Sequence, residues 1–290
     1  MTWTIAALYR FVSIADLPAE RAHLLAYLEA RGIYGTLLLA GEGVNGTIAG
    51  SREAIDEVVV ELDRRLGIHQ GEVKFSEASV RPFVRLKVRI RLEIITMRAP
   101  EADPSVRVGT YVRPEDWNAV IDDPEVLVLD TRNRYETRVG TFANAVDPAI
   151  DSFTEFKAFV ERELDPARHA KVAMFCTGGI RCEKASSFML AKGFREVFHL
   201  KGGILQYLED VPEAESRWNG ECYVFDARTA VGPAVAEADW HRCFGCGEPL
   251  TPDETKLATY EEGVSCLHCA ERLSPARAEG LRMRHRQRQR

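Results

Sequence analysis

Between positions 172 and 182 the chain reads Val-Ala-Met-Phe-Cys-Thr-Gly-Gly-Ile-Arg-Cys. An apolar run gives way directly to a cysteine, two glycines and a helical pattern over 183–192. A strand apolar at every position is buried on both faces, which is the habit of a parallel sheet covered by helices. The neighbouring segments agree. Apolar runs at 126–130 and 197–200 alternate with helical patterns at 153–164 and 183–192, so residues 109–235 are expected to form an α/β domain, a parallel sheet with helices on both faces. Working groups in such sheets lie just beyond the carboxyl ends of the strands. Cys176 stands there.

Adjacent glycines let successive backbone N–H groups turn toward one point, and a helix starting next directs its positive end to the same place. A thiol in that cradle is favoured as thiolate. Cys176 is therefore the candidate nucleophile, Arg181 a charge that supports it and would stabilise negative charge developing on a substrate, and Thr177, Gly178, Gly179 and Ile180 the loop that holds a ligand. Cys182 either resolves an oxidised Cys176 or packs at the helix start. Asp130 and Arg132 follow another strand of the same sheet; Asp130 reads as an orienting group and Arg132 as a candidate substrate contact. Glu183 and Lys184 read as cap or solvated residues, and His199 as a structural histidine.

Residues 1–97 read as βαββαβ, a ferredoxin- or acylphosphatase-like α+β domain. Strands are expected at 4–12, 35–40 and 46–49, with helices at 18–31 and, capped by Ser51, up to 66. Positions 41–46 read as a hairpin turn rather than a phosphate cradle. A last strand over 84–92 alternates Val84, Leu86, Val88, Ile90 and Leu92 with Arg85, Lys87, Arg89 and Arg91. Period two puts the apolar set into a core and the cations on the other face. That stripe suits an RNA backbone, and a solvated sheet face gives the same pattern. A proline-containing linker is expected at 98–108.

Residues 240–290 hold Cys243-x-x-Cys246 and Cys266-x-x-Cys269 with 19 residues between the pairs. This is the spacing of four-thiolate zinc sites, closed and structural. The net charge of −6 is unevenly spread: residues 96–239 are acidic, while the final fourteen carry six arginines against one glutamate. The tail reads as a disordered RNA-binding arm or a solubilising end. Seven cysteines, an N-terminus unlike a signal peptide and no apolar run of spanning length point to a cytoplasmic protein without membrane contact.

The 176–181 segment resembles a rhodanese loop, and Asp130-Thr-Arg-Asn-Arg-Tyr-Glu136 resembles the segment that precedes it in that family. A related phosphatase loop would place its arginine where Cys182 stands, so phosphatase chemistry is disfavoured. Four dispersed stretches, at 41–46, 176–186, 199–207 and 218–226, together resemble the bacterial tRNA uridine(34) hydroxylase family over nearly the full length. The resemblance implies a rhodanese-like domain after an acylphosphatase-like one. It also implies oxygen-dependent conversion of the wobble uridine of tRNA to 5-hydroxyuridine, with Cys176 as the active, persulfide-carrying cysteine. The alternatives are a sulfurtransferase that moves sulfane sulfur from Cys176, and a non-catalytic RNA-binding adaptor.

Overall fold

The computed structural model describes residues 2–288. The first domain runs β1 (Trp3–Phe11), α1 (Leu17–Glu29), β2 (Tyr34–Ala40), β3 (Gly43–Gly50), α2 (Arg52–Leu66), β4 (Lys74–Ala78) and β5 (Leu86–Ile90). Its sheet order is β4-β1-β3-β2-β5, with β5 parallel to β2 and the other pairs antiparallel. Ser51 caps α2 by accepting from the Ala54 amide at 3.2 Å. Leu24 and Leu28 of α1 and Ile55, Val58 and Leu62 of α2 bury one sheet face through Leu37, Leu39, Val44 and Ile48. Among the described residues no helix of this domain covers the opposite face, which carries Ala7, Tyr9, Thr36, Leu38, Asn45 and Thr47; these residues line a cleft instead.

The last strand of this domain is shorter than its alternation predicts. Val84 is 78% and Leu92 98% exposed, and of the five apolar residues only Val88 is buried. The ladder partner sets the limit: β5 is an edge strand paired only with β2, and the seven residues of β2 end before the alternation does. Strand β4 carries a single buried residue, Ala78, so no apolar pattern marks it in the sequence.

The expected linker is packed. Met97, Ala99 and Ala102 are buried in the core of the second domain. That domain continues through β6 (Thr110–Val112), α3 (Pro114–Ile121), β7 (Val126–Asp130), α4 (Arg134–Thr137), β8 (Gly140–Phe142), α5 (Phe156–Glu163), β9 (Lys171–Phe175), α6 (Ile180–Ala191), β10 (Glu196–Leu200) and α7 (Gly203–Asp210). Strands β6-β10-β9-β7 form an all-parallel sheet. Val172 and Met174 point to a core with Phe156, Cys182 and Phe188, while Ala173 and Phe175 point to one with Trp117, Phe142 and Tyr207. Both faces are covered, and the strand is apolar throughout for that reason. Short pairs follow: β11 (Trp218–Gly220) on β8, then β12 (Cys222–Tyr223) with β13 (Ala230–Val231).

The third unit is small: β14 (His241–Arg242), β15 (Pro249–Leu250) and α8 (Pro275–Arg288). The arginine-rich tail is helical up to residue 288 rather than disordered, because Ala278 and Leu281 dock on Val264. Its last two residues lie outside the described ones. No helix among the described residues is long and apolar enough to cross a membrane.

Candidate active site

Cys176 ends β9 and begins a loop whose shape is fixed from two sides. Gly179 takes φ +99° as the N-cap of α6, where a Cβ would stand 2.8 Å from the Tyr9 hydroxyl. Gly203, at φ +69°, lies so close that a Cβ would meet the Cys176 and Thr177 carbonyl oxygens at 2.6 Å. The amides of Ile204 and Leu205 donate to those carbonyls at 3.0 and 3.1 Å. Gly178 has open space around it and is not required on steric grounds.

The Gly179 amide donates to Cys176 Sγ at 3.1 Å. Burial alone would push the Cys176 thiol up. The Cys182 thiol, the Arg181 charge and the amides of Cys182 and Gly179 outweigh it and bring the group down to about 6. Cys182 moves the other way, raised by burial and by the thiolate beside it, with Thr131 Oγ1 3.5 Å from its sulfur. The two thiols are thus pushed in opposite directions, Cys176 toward the anion and Cys182 toward the neutral form.

Arg181 donates twice to Glu136, at 2.6 and 2.8 Å, and both side chains are buried. Its expected direct part in stabilising substrate charge is therefore corrected. The fork is spent on Glu136, and Arg181 positions the loop and supports the thiolate through space. Glu136, held low by Arg181 despite its burial, is a site residue that sequence reasoning missed. Its pairing joins positions 45 apart in the chain. Arg132 is also corrected. It is fully buried, bound to Asp130 through Nε at 2.8 Å and Nη2 at 2.5 Å, and it donates to the Gly140 carbonyl. No substrate can touch it there. Asp130 has the orienting part expected of it.

Cys176, Thr177, Gly178, Ile180 and Arg181 line a cleft of about 650 Å³, closed on the far side by the open sheet face of the first domain. Gly179 faces Tyr9 instead. Glu183 and Lys184 are not solvated. Tyr9 donates to Glu183 at 2.7 Å across the domain boundary, and burial pushes the Glu183 carboxyl up. Lys184 Nζ lies 2.9 Å from both Glu42 oxygens and 2.7 Å from Glu93. Helix α6 thus carries, on successive residues, the bonds that hold both walls of the cleft. His199 is structural: buried against the Gly109 carbonyl and brought down to about 4 by burial. Glu42 lies in the tight turn between β2 and β3.

Lys87 and Arg89 stand opposite Thr36 and Leu38 in the β2–β5 ladder, so they share the sheet face that lines the cleft. Arg85 precedes them by two residues, and Arg85 and Arg89 are exposed. The cationic stripe borders the cleft-lining residues of β2 along the sheet edge.

In the third unit the sulfurs of Cys243, Cys246, Cys266 and Cys269 all lie within 4.8 Å of one another. Pairs stand at 3.6, 3.8 and 3.9 Å, too far for a disulfide. Four sulfurs around one tetrahedral ion with bonds of about 2.3 Å would be separated by about 3.8 Å. The donor set fits a metal.

Comparison with known proteins bears on this arrangement. The UPF0176 acylphosphatase like domain matches residues 3–94, and the Rhodanese-like domain matches residues 113–210. A tRNA uridine(34) hydroxylase of Deinococcus radiodurans is 52% identical over 284 residues, covering 98% of this chain and 94% of that one. The chain belongs to the tRNA uridine(34) hydroxylase family. A second member, from Mesorhizobium japonicum, is 52% identical over 286 residues, covering 99% of this chain and 91% of its own. The rhodanese-type loop of this family member thus opens onto a cleft completed by its acylphosphatase-like domain.

Proposed function

We propose that the protein hydroxylates uridine 34 of tRNA at C5, with molecular oxygen as co-substrate and Cys176 as nucleophile. The observation that carries this reading is the joining, in one cleft, of a thiolate cradle and a sheet face edged with cations. A sulfurtransferase acting on a small acceptor needs only the loop. A cleft walled by a second domain suits a base extruded from RNA, and the cations suit its backbone. An adaptor has no use for a thiol tuned below its ordinary range.

Addition of the Cys176 sulfur to C6 of uracil places the displaced electron pair over C5 and the 4-carbonyl, and C5 becomes able to attack oxygen. One oxygen atom stays on C5 and the other leaves as water. Expulsion of Cys176 with loss of the C5 hydrogen restores the ring. Two further electrons are needed. They come from the Cys176–Cys182 thiol pair, which ends as a disulfide and is reset by an external thiol. With a persulfide on Cys176 the same two electrons come from closure of its outer sulfur onto Cys182 as a trisulfide, again reset by an external thiol. The test is a comparison of tRNA nucleosides by mass spectrometry from cells with and without the protein. Loss of 5-hydroxyuridine at position 34 is expected, and an unchanged level would reject the reading.

The four cysteines of the third unit would hold zinc, which supplies a structural cross-link and no open coordination position. About one equivalent of zinc in the purified protein, lost on Cys266→Ser, is the expected result; full-length protein free of metal would remove the assignment. The cytoplasm is the fitting compartment for tRNA chemistry that cycles free thiols.

A further inference from the structure

One wall of the cleft carries an unmet demand. After β12 the chain turns through a short loop, closed by the Val224 amide donating to the Thr229 carbonyl at 2.9 Å, with Thr229 at φ +67°. Within it Asp226 accepts from the Arg228 amide at 3.0 Å, from Nε at 2.9 Å and from Nη2 at 2.6 Å. The guanidinium is fixed in position and orientation. Its remaining nitrogen, Nη1, is buried and has no hydrogen-bond partner among the described residues, and Arg228 as a whole is 6% exposed. A charged donor withdrawn from water without an acceptor is costly, and native structures reserve that for a reason. Both Arg228 and Cys176 line the cleft. Phe225, inside the same loop, is 52% exposed, lines the same cleft and is held edge-on by Tyr223 at 5.2 Å between centroids.

We infer that the 225–228 loop reads the extruded pyrimidine: Phe225 stacks on the ring, and Arg228 Nη1 donates to the 4-carbonyl oxygen. The inference rests on the proposed uracil chemistry and assigns the group that chemistry lacks. When sulfur bonds C6, the C5–C6 π pair shifts toward C4 and the 4-oxygen takes the negative charge. A donor fixed at that oxygen binds the developing anion more strongly than the neutral carbonyl, which is what lowers a barrier. Arg181 cannot serve, since Glu136 takes its fork. Cytosine carries an amino group at the same ring position, so donor would face donor and the site would refuse it.

The test uses full-length protein and an anticodon stem-loop RNA with uridine, cytidine or pyrimidin-2-one riboside at the target position. Binding is read by fluorescence anisotropy without oxygen. Wild-type protein is expected to prefer uridine over both other bases by about tenfold or more. The double variant Asp226→Asn/Arg228→Gln, which leaves no unpaired charge, should bring the preference near unity. Phe225→Ala should weaken all three RNAs by about tenfold, and Phe225→Trp should restore them. A folded double variant that keeps the uridine preference overturns the assignment. So does a wild-type protein indifferent to the 4-oxygen, a measurement that needs no variant. Uridine preference without hydroxylation would instead sink the proposed reaction and leave the reading loop standing.

Discussion

Cys176→Ser is expected to lower 5-hydroxyuridine formation by at least about a thousandfold, the scale on which removal of a nucleophile acts. Serine fills nearly the same volume and can still accept from the Gly179 amide, so the loop should keep its shape. What goes is the anion. A hydroxyl is not ionised by a cradle that brings a thiol to about 6. The wild-type pH profile carries the same signature. The thiolate is the active form, so activity should be level above about pH 6 and fall about tenfold per unit as pH drops below it. Tritium release from C5-labelled uridine in the stem-loop RNA measures both. Product from the serine variant within tenfold of wild type would remove Cys176 from the chemistry.

Glu136→Ala should be the most destabilising single change near the site. It leaves the buried Arg181 guanidinium without its two acceptors, and breaking a buried pair from one side costs about 3–5 kcal/mol. Arg132, whose charge also lies beside Glu136, loses a compensating neighbour. The melting temperature should drop on the order of 10 °C. The double variant Glu136→Leu/Arg181→Met, apolar on both sides, should recover a large part of that loss while leaving activity low, because the thiolate then loses the charge that helps to lower it. Thermal unfolding followed by circular dichroism decides it. A single variant as stable as wild type would show that the pair does not hold the loop.

What could be read from the sequence divides along the range of the interaction. The strand 172–175, the cysteine after it and the capped helix after Ser51 are local patterns, and each lies where its residues place it. The gathering of four cysteine sulfurs was also legible, since two C-x-x-C pairs 19 residues apart are a local signal. Long-range pairing left no such trace. Glu136 looked like one residue of a matching segment until Arg181 met it, and Lys184 looked like a helix-surface lysine until Glu42 and Glu93 closed on it. Tyr9 belongs to a different domain from Glu183, to which it donates. The alternation at 84–92 misled for the opposite reason. A period of two states which residues share a face, but a sheet edge decides how many of them are covered.

The bonds from Tyr9 to Glu183 and from Lys184 to Glu42 and Glu93 leave one mark on how such a protein could arise. A sulfur-handling loop alone is a generalist, open to any small electrophile that diffuses in. With a second fold bonded to its helix, each half is answerable to the other. A drift in the sheet face alters what the sulfur meets, and a drift in the helix alters how the sheet is presented. Neither half can be exchanged for a cousin without refitting the seam, so the two should be inherited as a single indivisible tool.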